Sequence, residues 1–175
     1  MTHIMLDIET LGTKPGCIVM SIGACRFEPH GVGHDKEFYQ NIDPHDSRDA
    51  WCLRSDPSTV QWWKEQSEEA KAHLIPDRIS TLKAVEKFTE WFHLVRGEQV
   101  WCQGATFDAP ITEELFKITG QRIPWKFWNI RDTRTVYDVF SFDPKSIERE
   151  GTYHNALDDA IHQVKCVQEA LRSLS

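Results

Sequence analysis

The first apolar run of the chain ends in two acidic residues. Residues 3–10 read HIMLDIET, so that Asp7 and Glu9 are separated by a single residue. Alternate side chains of a β-strand share a face, and we therefore expect these two carboxylates to point together while Leu6 and Ile8 point into a core. Neighbouring carboxylates repel each other unless a cation lies between them, and carboxylate oxygens are the ligands that Mg²⁺ prefers. The segment predicts a buried strand that carries half of a divalent-metal site, with a solvated strand end as the alternative.

The chain has the size and composition of one globular domain. It contains 175 residues, of which 40% are hydrophobic and 27% are charged. No apolar run approaches the ~18 residues that a membrane-spanning helix needs, and the N-terminus lacks the pattern of a secretion signal. We therefore expect a single domain over residues 1–175, located in the cytoplasm and without a membrane partner.

Charge and cysteine content argue against several functions. The formal net charge of −7 disfavours a protein that grips long nucleic acid by electrostatics alone, but it does not exclude a nucleic-acid enzyme whose metal ions supply positive charge. The five cysteines are scattered and show no C-x-x-C spacing. This pattern argues against a disulfide framework and against a structural zinc site.

Hydrophobic periodicity and turn residues predict a mixed α/β protein. Three strands in immediate succession indicate an antiparallel meander, and the helices and strands that alternate after it indicate a mixed β-sheet flanked by α-helices. The predicted strands lie at 3–10, 17–27, 36–42, 99–102 and 125–130, and the predicted helices lie at 57–74, 82–95, 109–119, 133–140 and 156–174.

Asp108 is a third candidate metal ligand. It follows the predicted strand at 99–102 through a turn that contains Gly104, and it stands at the start of the next predicted helix. Backbone N–H groups at a helix start favour negative charge, so a role as a simple N-cap is the alternative.

The segment from His154 to Asp159 supplies a fourth candidate. A histidine can act as a general base near neutral pH, and an acid one turn away can hold a metal ion that lowers the pKa of a water molecule. Asn155 and Asp158 are three residues apart, which fits a helix N-cap and its N3 partner. We therefore expect the helix to begin at Asn155, with His154 outside it. In an ideal helix Asp158 would share the face of His154, so both acids stay open as ligands.

The three motifs, in this order, resemble the DEDDh exonucleases of the DnaQ-like group, which have the ribonuclease H-like fold. The resemblance runs from Asp7 to Asp159. Within the group, residues 56–63 (DPSTVQWW) and 128–135 (WNIRDTRT) look most like the branch that contains phage exonuclease A and related bacterial exoribonucleases.

The resemblance implies a catalytic site with two divalent metal ions, Mg²⁺ or Mn²⁺. It assigns Asp7 to both ions, Glu9 and Asp159 to one and Asp108 to the other, and it makes His154 the general base. The family spacing also favours Asp159 over Asp158. The implied activity is metal-dependent 3′-to-5′ hydrolysis of terminal phosphodiesters, with release of nucleoside 5′-monophosphates from single-stranded DNA or RNA 3′ ends.

Substrate contacts follow from the same resemblance and from neighbouring residues. The resemblance implies that the backbone at Thr10 and Leu11 meets the terminal 3′-hydroxyl, while the side chain of Leu11 packs against the last base. Phe107 is expected either to stack on a base or to lie in the core. Arg131 and Arg134 flank Asp132 and are candidates for phosphate contacts, with an internal ion pair as the alternative for both.

Tryptophan is abundant, with seven residues in the chain. Trp62 and Trp63 lie on an apolar stripe and are expected in the core, whereas Trp51 lies in a polar segment and is expected at the surface.

Two other functions compete with the exonuclease. A ribonuclease H-type endonuclease takes its second acid from a helix rather than from a D-x-E strand, so this sequence fits it poorly. A non-catalytic binding module would be expected to have lost at least one acid or the histidine. The sequence leaves open DNA against RNA, single strands against duplex ends, and whether the chain forms a homodimer.

Overall fold

A five-stranded mixed sheet lies at the centre of the computed structural model, which describes residues 1–173. The strand order is β3-β2-β1-β4-β5, in which β1, β2 and β3 are antiparallel neighbours while β4 is parallel to both β1 and β5. The predicted fold class is therefore confirmed. The strands are β1 His3–Thr10, β2 Val19–Phe27, β3 His34–Asn41, β4 Gln99–Cys102 and β5 Ile130–Asp132.

Helices cover both faces of the sheet. None in the described part of the chain is long and apolar enough to cross a membrane. The helices are α1 Pro44–Trp51, α2 Pro57–Glu65, α3 Glu68–His73, α4 Thr81–Leu94, α5 Ala105–Ile118, α6 Thr133–Val139 and α7 Ala156–Arg172, and 3₁₀ turns lie at Phe127–Asn129 and Pro144–Ser146.

Several predicted elements are wrong in their details. Helix α1 was not predicted, although Asp43 caps it by accepting a hydrogen bond from the His45 N–H. The single helix predicted at 57–74 is divided, because Gln66 is extended and the Ser67 side chain caps a new helix at the Ala70 N–H.

The other deviations concern the second half of the chain. Helix α5 begins at Ala105 rather than at 109, so that Asp108 lies within its first turn and is not its N-cap. In place of the strand predicted at 125–130, a 3₁₀ turn closes with a bond from the Asn129 N–H to the Lys126 carbonyl. The predicted end of the last helix, Leu174, lies outside the described residues.

Alternate side chains of β1 point to opposite faces of the sheet and belong to two different hydrophobic clusters. Ile4, Leu6 and Ile8 belong to the larger cluster, as predicted. Met5 belongs to the smaller one, which contains residues of α7 such as Val164. The face of β1 that continues from Met5 toward its acidic end is therefore the face that α7 covers.

Helix α7 approaches the sheet very closely at Gly23. This residue pairs with Asp7 across β1 and β2. A Cβ atom placed on Gly23 would lie 2.2 Å from backbone atoms of both Ala156 and Leu157, closer than any real contact. Glycine at this position thus lets the first turn of α7 rest directly on the sheet opposite Asp7.

Replacement of Gly23 tests this contact. We expect Gly23→Ala to destabilise the protein by about 3 kcal/mol or more, because the methyl group would overlap a helix backbone that cannot rotate away. Gly33→Ala is the matched control, since Gly33 has a positive φ of 73° but no atom within 4 Å of the position that an added methyl group would take. It should cost only about 1 kcal/mol of backbone strain. Equal losses in urea unfolding would show that α7 does not depend on this contact.

Candidate active site

The acidic end of β1 lies where the regular sheet stops. The pairing of β1 with β2 shifts register between Glu9 and Thr10, which is the signature of a β-bulge. Glu9 is only 7% exposed. A charged side chain this buried needs partners that compensate its lost hydration.

Asp108 reaches the same place from β4. Gly104 follows the strand with a φ of 104°, a conformation that glycine adopts without strain, and it is the N-cap of α5. The sharp turn puts Asp108 into the first helical turn with 2% exposure. Burial raises the pKa of Asp108 to about 7, although backbone N–H groups oppose the rise.

The start of α7 completes the cluster. The Asn155 side chain accepts hydrogen bonds from the N–H groups of Leu157 and Asp158, which confirms the predicted N-cap. Asp158 is thus the predicted N3 partner through its backbone N–H, whereas its carboxylate accepts a bond of 2.7 Å from the Thr152 N–H rather than from Asn155. Asp159 is the acid that faces the sheet.

Three side chains converge closely enough to hold a metal ion. One ligand atom each from Glu9, His154 and Asp159 lies within 4.8 Å of the other two. Carboxylate and imidazole groups are both ligands of divalent ions. The donor set therefore fits the divalent cation that the resemblance implies.

Asp7 lies against the same cluster from inside the sheet. Burial raises its pKa well above the ordinary value, and the charges of Asp108 and Glu9 raise it further. The Gln163 side chain on α7 donates a hydrogen bond of 2.7 Å to Asp7 and holds the carboxylate in place. Sequence reasoning did not single out Gln163, because a lone glutamine in a helix gives no motif.

The pKa of Glu9 reflects the burial of the cluster and how little positive charge surrounds it. Burial and the neighbouring Asp108 raise the pKa of Glu9 to about 8. A carboxyl group with this pKa holds its proton near pH 7 unless a cation compensates the charge. The cluster is therefore suited to binding a cation, which can replace that proton.

The positively charged side chain of Arg149 lies beside these acids. It forms an ion pair with Asp159, in which the two side chains are 14% and 16% exposed. Its guanidinium also lies 4.1 Å from the ring centroid of Tyr153, a cation–π contact. The same charge lowers the pKa values of Asp7 and Glu9 against the dominant effect of burial. Sequence analysis missed Arg149, because it lies in the irregular segment at 141–153, outside the motifs.

His154 stands just before α7, as predicted, with a φ of 62°. Burial lowers its pKa, and the charge of Arg149 lowers it further, so the neutral form that can accept a proton is favoured. Its ring packs edge-on against Trp62 with a centroid distance of 4.8 Å. The ring is thus oriented by an aromatic neighbour.

The tryptophan predictions are partly wrong. Trp62 is 41% exposed and borders the site, whereas Trp63 is buried as predicted and donates a bond of 2.8 Å to the Thr10 carbonyl. Trp51, expected at the surface, ends α1 and packs partly buried against the larger cluster. The helical period distinguishes Trp63 from Trp62, because adjacent helical residues point about 100° apart.

A pocket of 350 Å³ opens beside the acidic cluster. Its walls include Glu9 and Thr10 from the end of β1, Trp62 and Trp63 from α2, and Phe107 from α5. The aromatic rings make the pocket apolar at its sides, while the carboxylate of Glu9 makes one end polar.

The predicted substrate residues differ in their availability. Thr10 and Phe107 line the pocket. Leu11 is half-buried against the larger cluster, and its N–H donates to the Ile18 carbonyl. The Arg131 guanidinium donates to the carbonyls of Trp128 and Ile130.

Asp132 has partners of its own. It accepts hydrogen bonds from the N–H groups of Ala105 and Arg134. The alternative ion pairs of Asp132 with Arg131 or Arg134 are absent from the described residues 1–173.

The sequence also matches a known family over almost its whole length. Residues 2–171 match the 3′-5′ exoribonuclease Rv2179c-like domain. The chain belongs to this family. It is a 3′-to-5′ exonuclease, a hydrolase that acts on the ends of nucleic acids.

Relatives of this exonuclease agree with the predicted branch. An exodeoxyribonuclease of enterobacteria phage T4 is 27% identical over 209 aligned residues, which cover 98% of this chain and 90% of the relative. The nuclease domain of 3′hExo, a DEDDh family member bound to rAMP, has a TM-score of 0.66 at 10% identity and covers 98% of this chain and 92% of that one.

A second solved structure shares the fold. E. coli exonuclease I in complex with a dA16 oligonucleotide has a TM-score of 0.66 at 17% identity, and the match covers 99% of this exonuclease and 42% of exonuclease I. The predicted resemblance to the DEDDh exonucleases is confirmed.

The raised pKa values predict how stability depends on pH. Glu9 binds its proton more tightly in the folded protein, with a pKa of about 8, than in the unfolded chain, where the ordinary value is 4.5. The stability from this protonated group is present below pH 4.5 and is lost as the pH rises through 8. In EDTA, the free energy of unfolding should fall by about 2 kcal/mol from pH 6 to pH 8. Glu9→Gln should flatten the trend, and a free energy that rises over this range contradicts it.

The ion pair of Arg149 predicts competition with metal ions. Arg149→Met should destabilise the protein in EDTA by about 2–3 kcal/mol, because it leaves Asp159 without its cation. The same change should tighten Mn²⁺ binding at least about fivefold in calorimetric titration, since no guanidinium has to leave the carboxylate. Lys165→Met is the matched control, because it removes the same charge from a more exposed pair with Glu150. Mn²⁺ affinity that is equal in both variants contradicts the competition.

Proposed function

We propose that this exonuclease removes single nucleotides from the 3′ ends of single-stranded nucleic acid and uses two divalent ions, Mg²⁺ or Mn²⁺. The observation that carries the proposal is the convergence of Glu9, His154 and Asp159 within 4.8 Å, beside Asp7 and Asp108, at the edge of an aromatic pocket. The carboxylates, the candidate general base and the substrate cavity thus share one location.

Four carboxylates would hold the two ions. Asp7 would contact both, Glu9 and Asp159 would complete one, and Asp108 would contribute to the other. When bound, two such ions stabilise the charge on the phosphoryl oxygens and lower the pKa of the attacking water. Burial of Glu9 and Asp108 keeps water from screening the carboxylates, so their charge acts on the ions at full strength.

His154 takes the proton from the attacking water. Its lowered pKa keeps the imidazole neutral at pH 7, and contact with Trp62 limits the orientations of the ring. The water oxygen bonds to the terminal phosphorus, and the bond from phosphorus to the preceding 3′-oxygen breaks. The products are a nucleoside 5′-monophosphate and a strand shortened by one nucleotide with a new 3′-hydroxyl.

The pocket receives the terminal nucleotide. Phe107 and Trp62 supply aromatic faces, and stacking on such faces contributes ~1–3 kcal/mol per base without demanding a sequence. Thr10 borders the pocket beside Glu9, where the terminal sugar meets the backbone at the end of β1. A pocket that binds the terminal nucleotide directly suits a protein whose net charge of −7 does not favour long electrostatic tracks.

The test of this function needs both RNA and DNA substrates. The family is described as exoribonucleases, whereas the phage relative is an exodeoxyribonuclease. The location in the cytoplasm and the homodimer stay predictions.

The direct test uses 5′-labelled single-stranded DNA and RNA with Mg²⁺ or Mn²⁺. We expect a ladder that shortens from the 3′ end, nucleoside 5′-monophosphates as the released product, and no cleavage in EDTA. Strands bound equally well in EDTA and never shortened would favour a binding module, and internal cleavage of a circular strand would favour an endonuclease.

Two neighbouring acids provide a matched pair of variants in the same assay. Asp159→Asn should lower kcat/KM at least about 100-fold, because loss of a direct metal ligand exceeds the usual effect of an outer partner. Asp158→Asn should stay within a few-fold of the wild type, since asparagine can still accept the Thr152 N–H. The reverse order would make Asp158 the ligand.

A further inference from the structure

Arg134 stands close to the acidic cluster on a different element. Its guanidinium lies over Gly104, such that a Cβ atom on Gly104 would be 2.9 Å from Nη1 and 3.3 Å from Cζ of Arg134. Gly104 lies one helical turn before Asp108, whose N–H donates to the Gly104 carbonyl. The guanidinium therefore lies beside the start of α5, whose first turn carries Asp108.

The side chain of Arg134 is available for a ligand. The residue is exposed, and within residues 1–173 its guanidinium has neither a hydrogen-bond partner nor an ion-pair partner. By contrast, Arg131 donates to a backbone carbonyl. Arg149 donates to a backbone carbonyl and to the carboxylate of Asp159. A guanidinium presents five donors in a planar fork that matches the oxygens of a phosphate.

Charge at this position also acts on the site. Burial is the main influence on the pKa of Asp108 and raises it, whereas the charge of Arg134 lowers it. The direction of this effect agrees with the position of the guanidinium beside Gly104.

The surrounding residues give this charge a place along a bound strand. Phe107 lines the pocket for the terminal nucleotide and Asp108 belongs to the acidic cluster. The guanidinium of Arg134, a residue of α6, lies beside Gly104 at the start of α5. A strand with its last nucleotide in the pocket has its terminal phosphodiester at the carboxylates. The preceding phosphate is the next anionic group along the strand, and the guanidinium of Arg134 lies beside the same end of α5.

We propose that Arg134 binds the phosphate that precedes the scissile one and thereby favours substrates of three or more nucleotides. This inference rests on the proposed function, because it assumes that the pocket holds the 3′-terminal nucleotide. The contact is electrostatic and bidentate, and it positions the strand without touching the reacting atoms.

The test compares two short substrates. A dinucleoside monophosphate has only the scissile phosphate, whereas a trinucleotide without a terminal phosphate also has the preceding one. We expect Arg134→Gln to lower the preference of kcat/KM for the trinucleotide over the dinucleoside about tenfold, mainly through KM. A neutral methylphosphonate at the preceding linkage should reduce the wild-type preference by a similar factor and have little further effect in the variant.

Two other arginines make the comparison specific. Arg122→Gln removes the same charge beyond the far end of α5, and it should leave the substrate preference at the wild-type value. Arg131→Gln tests the competing assignment. If Arg131→Gln rather than Arg134→Gln abolishes the preference, the phosphate contact belongs to Arg131 and our proposal is wrong.

The possible failures can be told apart. If wild-type protein cleaves neither substrate, the proposed function fails. If the wild type prefers the trinucleotide and Arg134→Gln keeps that preference in full, only the role of Arg134 fails. Thermal unfolding of each variant shows whether a loss of activity reflects unfolding.

Discussion

The direct contact between helix α7 and strand β2 at Gly23 is the constraint on which the site depends. It sets the first turn of α7 against the strand that pairs with Asp7, within a distance that a single methyl group would prevent. Asp159 lies in that first turn, and His154 immediately precedes the N-cap, Asn155. A glycine without any reactive group therefore determines whether residues more than 140 positions apart in the chain can bind one ion.

Burying several carboxylates close together has an electrostatic cost, and other side chains compensate for it in part. Burial favours the protonated forms of Asp7, Glu9 and Asp108. Arg149 favours the charged forms of Asp7 and Glu9, and the Gln163 amide favours that of Asp7. The compensation is incomplete, as the pKa of about 8 for Glu9 shows. A site left short of positive charge in this way attracts divalent cations, because each bound ion relieves repulsion that the protein fold maintains.

Local patterns were sufficient for part of this arrangement. The alternation in β1 located Ile4 and Leu6 in the core, and the spacing of Asn155 and Asp158 located the start of α7. The contributions of Arg149 and Trp62 depend on contacts between distant segments, which no periodicity records. The metal-binding role of the motif acids is implied by the family resemblance.

The backbone around His154 joins the general base to the helix that follows it. His154 has a left-handed conformation, which costs a residue with a side chain roughly 1–2 kcal/mol, so its neighbours must hold it there. On one side Thr152 is bonded to Asp158, and on the other Asn155 caps α7. Both anchors lie in the same helical turn, so fraying of that turn releases the loop as well. Local unfolding should therefore remove His154 and Asp159 from the site in one cooperative event, and the amide protons of Thr152 and Asp158 should exchange through a common opening.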